Sequence, residues 1–151
     1  IMRQVAPLGP VYQAGTLSGN PVAVAAGVAT LTIVSQPGFF ETLTKITADC
    51  MAGLTQAARE AGIERFCADS VGGMFGIYFS HTCPKSLTDV TNSNREAFNR
   101  FFHAMLERGV YLAPSAYEAG FLSIEHEGEP IDIILQTARE AFKEIASVAN
   151  A

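Results

Sequence analysis

The sequence predicts an α+β fold: a small, largely antiparallel sheet with helices on one face, preceded by a loop and long connecting helices. Three observations lead there. Apolar residues recur at helical spacing in several separate stretches. Stretches rich in β-branched and aromatic residues fall next to one another in the chain, whereas a parallel sheet needs strands alternating with helices. Between the first two of them stands Gly72-Gly73, a tight turn that makes them antiparallel neighbours. At 151 residues and 48% hydrophobic content, the chain is large enough to build one real core.

Residues 1–14 form a connector, because Pro7, Gly9 and Pro10 discourage regular structure. The first helix is expected over Pro21–Val34, with Asn20 as its cap and Pro21 at its first position. That stretch holds no charged residue and carries Ala and Gly on several faces, so it must be buried all round. It is too short to span a bilayer, which needs about 20 apolar residues. A second helix is expected over 39–61, with Leu43, Thr47, Cys50, Leu54, Ala57 and Ala61 in register and Gly62 as its stop. Strands follow at 63–71 and 74–79, then a polar loop over 80–93.

Asn94 is placed to cap a helix that ends before Gly109, with Phe98, Phe101, Phe102, Met105 and Leu106 as its apolar face. Short strands are expected at 110–112 and 121–124. Pro130 opens a final helix whose stripe is Ile134, Ala138, Ala141, Ile145 and Val148.

Charge and cysteine usage narrow the function. A net charge of −5 gives no basic footprint, which argues against nucleic acid and against non-specific attraction to membranes. Cys50, Cys67 and Cys83 are odd in number and widely spaced, so free thiols in a reducing cytoplasm fit better than a disulfide framework or a zinc site. His81, His103 and His126 lack metal-ligand spacing, and no metal site is expected.

The stretch with most chemical content is Gly15-Thr16-Leu17-Ser18-Gly19-Asn20-Pro21. Its glycines let a backbone approach a ligand, and its hydroxyls and amides can donate to an anion at a helix start. It lacks the Gly-Lys-Ser/Thr of a nucleotide-binding loop, and by pattern alone a simple helix-capping turn stays open. Tyr12 reads either as loop packing or as a functional aromatic. Glu118, in an otherwise apolar, aromatic segment, reads either as a surface glutamate or as a carboxylate with a task. Lys45, Lys85 and Lys143 sit at polar positions, and none is expected to be an activated amine.

Residues 9–14, Gly-Pro-Val-Tyr-Gln-Ala, followed by the Gly15 loop, then Gly72-Gly73-Met74-Phe75-Gly76, and the run from Tyr111 to Phe121 together resemble class III aminotransferases, a pyridoxal-phosphate-dependent family. The late run resembles the family's aminomutase branch, which shifts an amino group within one amino-aldehyde substrate. The resemblance covers the whole chain but only the C-terminal part of such enzymes. It implies the C-terminal small domain of fold-type I pyridoxal-phosphate enzymes over 63–151, a connecting helix over 36–62, and the end of the large cofactor domain over 1–35.

Under the same resemblance, pyridoxal 5'-phosphate is the cofactor and its Schiff-base lysine lies upstream of Ile1. Gly15 and Thr16 would contact its phosphate across the interface of a homodimer with shared active sites. Tyr12 and Glu118 would face substrate. A carboxylate at 118 would repel dicarboxylates and suit a diamino species. Two other readings are carried beside this one: another, omega-type, class III aminotransferase, and a non-catalytic binding or dimerisation module.

Overall fold

The computed structural model describes residues 1–149, and the chain divides into two compact units, Ile1–Gln36 and the residues from Pro37 onward. The first unit opens with a 3-10 turn at Met2–Gln4 and a loop tied by a parallel bridge between Val5 and Val11. Helix α1 then runs over Pro21–Val34, as its sequence signals require. The Asn20 side chain accepts from the amides of Val22 and Ala23, both at 3.1 Å, and Pro21 has no amide to leave unsatisfied. The burial expected of α1 is not met within its own unit: none of its residues is buried, and Val22, Val24, Val28, Leu31 and Ile33 are exposed.

The second unit holds a complete core. Helix α2 (Phe39–Glu60) buries Ile46, Thr47, Cys50, Met51, Leu54, Ala57 and Ala58. The hydroxyl of the fully buried Thr47 donates to the Leu43 carbonyl at 2.8 Å, so this polar group is satisfied inside the core. Strands β1 (Cys67–Val71) and β2 (Met74–Tyr78) pair antiparallel from Cys67 opposite Tyr78 to Val71 opposite Met74. A third strand, β3 (Gly120–Phe121), pairs antiparallel with β2, giving the order β1-β2-β3. Helices α3 (Leu87–Thr91), α4 (Arg95–Glu107) and α5 (Glu129–Ala149) complete the unit. Helix α2 packs on β1, β2 and α5, and α4 packs on α5, which is an α+β arrangement.

Four phenylalanines lock these layers. Phe101 from α4 stacks on Phe142 from α5 with ring centroids 4.5 Å apart. Phe66, just before β1, meets Phe142 edge-on at 4.9 Å and Phe79, just after β2, at 5.3 Å. Each such pair contributes about 0.5–1.5 kcal/mol beyond the area it buries.

Several boundaries differ from expectation for one physical reason. The strand expected over 63–71 starts only at Cys67, because Ile63 is still part of the α2 ending: Gly62 at φ +78 lets the Ile63 amide reach back to the Ala58 carbonyl at 2.9 Å. The strand expected at 110–112 is absent for the same cause. Gly109 at φ +86 turns the Val110 amide onto the Met105 carbonyl at 3.0 Å, and Val110 fills the core without a strand partner.

The strand expected at 121–124 is shortened to Gly120–Phe121. Ser123 there opens a 3-10 turn at Ile124–His126, its amide donating to His126 Nδ1 at 3.1 Å. Helix α3 interrupts the loop expected over 80–93. Leu106 faces solvent, off the stripe that Phe98, Phe101, Phe102 and Met105 bury. In α5 the stripe places Ala138, Ala141 and Ile145 in the core with Ile134 half-buried, while the Val148 side chain lies outside the described residues, as do Asn150 and Ala151. Among the described residues no single helix is long and apolar enough to cross a membrane.

Candidate functional site

The Gly15 loop is built from two interlocked turns. The Ser18 amide donates to the Gly15 carbonyl at 2.9 Å and the Asn20 amide to the Leu17 carbonyl at 3.0 Å, with Gly19 at φ +77 allowing the chain to close onto α1. Gly15 itself has a φ open to any residue, but a Cβ there would lie 2.2 Å from Ser18 Oγ. The missing side chain at 15 is thus a space that Ser18 fills.

What remains on this loop is a set of donors. Among the described residues the amide and hydroxyl of Thr16 make no hydrogen bond, and both Gly15 and Thr16 are exposed. The helix end is less available than the sequence suggests, since Asn20 already accepts from the first two amides of α1. Donors for an anion are therefore the loop amides that the two turns leave free and the Thr16 and Ser18 hydroxyls. No charged residue lies between Arg3 and Glu41, so any anion held here is held by neutral groups. Tyr12 is on the same unit and 83% exposed, so it is not packing its loop down.

Glu118 belongs to the other unit. Residues 113–120 turn at Ser115, whose carbonyl accepts from the Glu118 amide at 3.1 Å and whose hydroxyl accepts from the Tyr117 amide at 3.2 Å. The Glu118 carboxylate is exposed and, among the described residues, makes no hydrogen bond or ion pair. The small cavity beside it, lined also by Phe75, Phe98, Leu112 and Gly120, is about 10 Å³, room for one water at most. A larger groove of about 310 Å³ lies between Ile63, Arg65, Asn94, Ala97 and Arg100, and none of the candidate site residues Tyr12, Gly15, Thr16 and Glu118 lines it.

The three lysines are all exposed, and Lys45 is held by Asp49 at 2.5 Å, which pushes its pKa up and keeps it charged. None has the desolvated setting of a nucleophilic amine. His126 accepts from the Ser123 amide and is a structural cap. Among the described residues no cluster of His, Cys, Asp and Glu has metal-binding geometry.

Against known proteins, the chain matches the family model described as aminotransferase class-III over residues 1–122. It is 61% identical over 145 residues to a glutamate-1-semialdehyde 2,1-aminomutase from Laribacter hongkongensis, spanning 96% of this chain and 34% of that protein. Among solved structures, an omega-transaminase from Sphaerobacter thermophilus aligns with TM-score 0.73 at 23% identity, over 97% of this chain and 33% of that one. A glutamate-1-semialdehyde-aminomutase from Pseudomonas aeruginosa aligns with TM-score 0.72 at 19% identity, over 87% and 29%. The chain thus spans about a third of the length of the relatives it matches, and the backbone is shared by transaminase and aminomutase alike. With four-fifths of its residues covered by one family model, the chain belongs to the class III aminotransferase family.

Proposed function

We propose that this chain supplies the C-terminal part of a pyridoxal-phosphate-dependent aminomutase that converts glutamate 1-semialdehyde to 5-aminolevulinate, a step of tetrapyrrole biosynthesis. The observation that carries the reading is the 61% identity with an aminomutase across nearly the whole chain. The residues of the Gly15 loop fit the cofactor's phosphate in kind: beside Gly15 stand the Thr16 amide and hydroxyl, which have no partner among the described residues and no charged side chain near them in sequence. Bound pyridoxal phosphate supplies the electron sink that lets an amino group leave one carbon and return at its neighbour.

The chain's own residues have narrower tasks. Gly15 and Thr16 bind and orient the phosphate through charge-assisted hydrogen bonds from neutral donors. The Glu118 carboxylate attracts amino groups and repels a second carboxylate, which favours an amino-aldehyde over a dicarboxylate amino donor. Tyr12 offers an exposed ring and hydroxyl in the same unit as Thr16. The cofactor-anchoring lysine is assigned to the remainder of the protein, since the three lysines here are exposed. A homodimer with shared sites is part of the same proposal, supported by the uncovered apolar surface of α1. A cytoplasmic setting is supported by three cysteines in the thiol form.

The test is borohydride reduction of the full-length protein loaded with pyridoxal phosphate, followed by peptide mapping and by assay with glutamate 1-semialdehyde alone. Expected is one modified lysine outside this chain and turnover without an added amino acceptor. Modification of Lys45, Lys85 or Lys143, or no modification, would overturn the cofactor assignment. A strict need for a second amino substrate would favour the omega-type transaminase, whose fold this chain matches equally well.

A further inference from the structure

Glu118 stands in the middle of a short segment that is fastened at both ends. Ala116, two residues before it, is buried in the core at 8% exposure, and Gly120, two residues after it, pairs with Phe75 of β2. A Cβ at Gly120 would run into the Phe75 ring, a sign of how closely the chain lies against the sheet there. Ahead of Gly120 the backbone makes one turn, from Ser115 to Glu118. The Glu118 amide donates to the Ser115 carbonyl at 3.1 Å, and the Tyr117 amide donates to the Ser115 hydroxyl at 3.2 Å. None of the four residues takes a positive φ, so no glycine is needed here and the two hydrogen bonds set the shape of the turn. Ser115 accepts both of them, is half-buried, and lines the same small cavity as Glu118.

We propose that Ser115 is a positioning residue for the Glu118 carboxylate and thereby for substrate selectivity, an assignment that rests on the reading of Glu118 as substrate-facing. The carboxylate is exposed and has no hydrogen bond or ion pair among the described residues to aim it. Its direction is therefore inherited from the backbone, and the Ser115 hydroxyl fixes the peptide just before it. Without that hydroxyl the Tyr117 amide turns to find water, and the 116–118 peptides rotate with it. A carboxylate that wanders attracts an amino group less and repels a second carboxylate less. The two affinities move in opposite directions.

The test uses the full-length protein loaded with pyridoxal phosphate. Two constants are measured: kcat/KM for glutamate 1-semialdehyde, and Ki for glutarate, a dicarboxylate with no amino group. In Ser115→Ala, kcat/KM should fall about threefold to tenfold through KM, while glutarate binds more tightly. Ser115→Thr keeps the accepting hydroxyl and should stay within about twofold of the wild type. Glu118→Gln should move both constants in the same directions and further, and adding Ser115→Ala to it should change either by less than about twofold. A purely structural loss would weaken both ligands together, so weakened glutarate binding in Ser115→Ala overturns the positioning role. So does a Ser115→Ala protein like the wild type beside an altered Glu118→Gln, a full additional effect in the double variant, or a Ser115→Thr protein as impaired as Ser115→Ala. A Glu118→Gln protein with both constants unchanged overturns the reading of Glu118 itself, and the role of Ser115 with it.

Discussion

Replacing Gly15 by Ala tests whether the loop's shape, and not only its composition, holds the cofactor's phosphate. The new Cβ would lie 2.2 Å from Ser18 Oγ and 3.4 Å from Ser18 Cβ. The second distance is ordinary contact, so the backbone need not move; the first is impossible, so the Ser18 hydroxyl must swing to another rotamer. Ser18 Oγ makes no hydrogen bond among the described residues, and its displacement costs about 0.5–1.5 kcal/mol in rotamer and local adjustment. Titrating pyridoxal phosphate into the full-length apoprotein, followed by absorbance, should therefore show binding weakened about two- to tenfold. Ser18→Ala removes the obstructing atom, so the double variant Gly15→Ala/Ser18→Ala should return to within about twofold of the wild type, a coupling between adjacent positions that a double-mutant cycle reads directly. Unchanged affinity in Gly15→Ala would detach this loop from the cofactor. A double variant as weak as the single one would show that Ser18 is not what the Cβ meets.

Other outcomes follow from the same structure. Thr16→Val removes a donor to an anion and should weaken cofactor binding by about tenfold to a hundredfold with unchanged circular dichroism, from a charge-assisted bond of roughly 1.5–3 kcal/mol. Gly120→Ala puts a Cβ 2.1 Å from the Phe75 ring, an overpacking that should cost about 1–3 kcal/mol in denaturant unfolding and be partly relieved by Phe75→Leu. Phe142→Ala removes a fully buried ring from the four-phenylalanine cluster and should cost about 3–5 kcal/mol by the same measurement. Burial pushes the Cys50 thiol up to about 11, so the folded state favours the neutral form. Its contribution is fully present below the ordinary thiol range and is lost as pH rises toward 11; a stability profile from pH 8 to 11 should fall, and fall less in Cys50→Ala.

The parts of the fold legible in the sequence were those written in local chemistry. Asn20-Pro21 and Asn94 mark helix starts that the structure reproduces through side-chain hydrogen bonds, and Gly62 and Gly109 mark the ends. The same glycines explain what was misread. Ile63 and Val110 look like strand residues, but their amides are already engaged by the preceding helices, and nothing in their own side chains says so. Helix α3 did leave a signal, Ser86 three residues before Asp89: Ser86 Oγ accepts from the Asp89 amide at 3.3 Å, and the Asp89 carboxylate accepts from the Lys85 amide at 3.0 Å. Of the candidate site, Gly15 and Thr16 stood out because glycines and hydroxyls before a helix are locally unusual. The Ser18 contact was invisible, since it depends on how the backbone folds back and not on spacing.

Helix α1 bears on how the protein is made. Seven of its 14 residues are β-branched, a composition that resists helix formation in water, and none of them is buried within its own unit. The unit beginning at Pro37 carries its own aromatic core and can condense as soon as it is complete. The stretch that leaves the ribosome earlier is thus the one least able to stand alone.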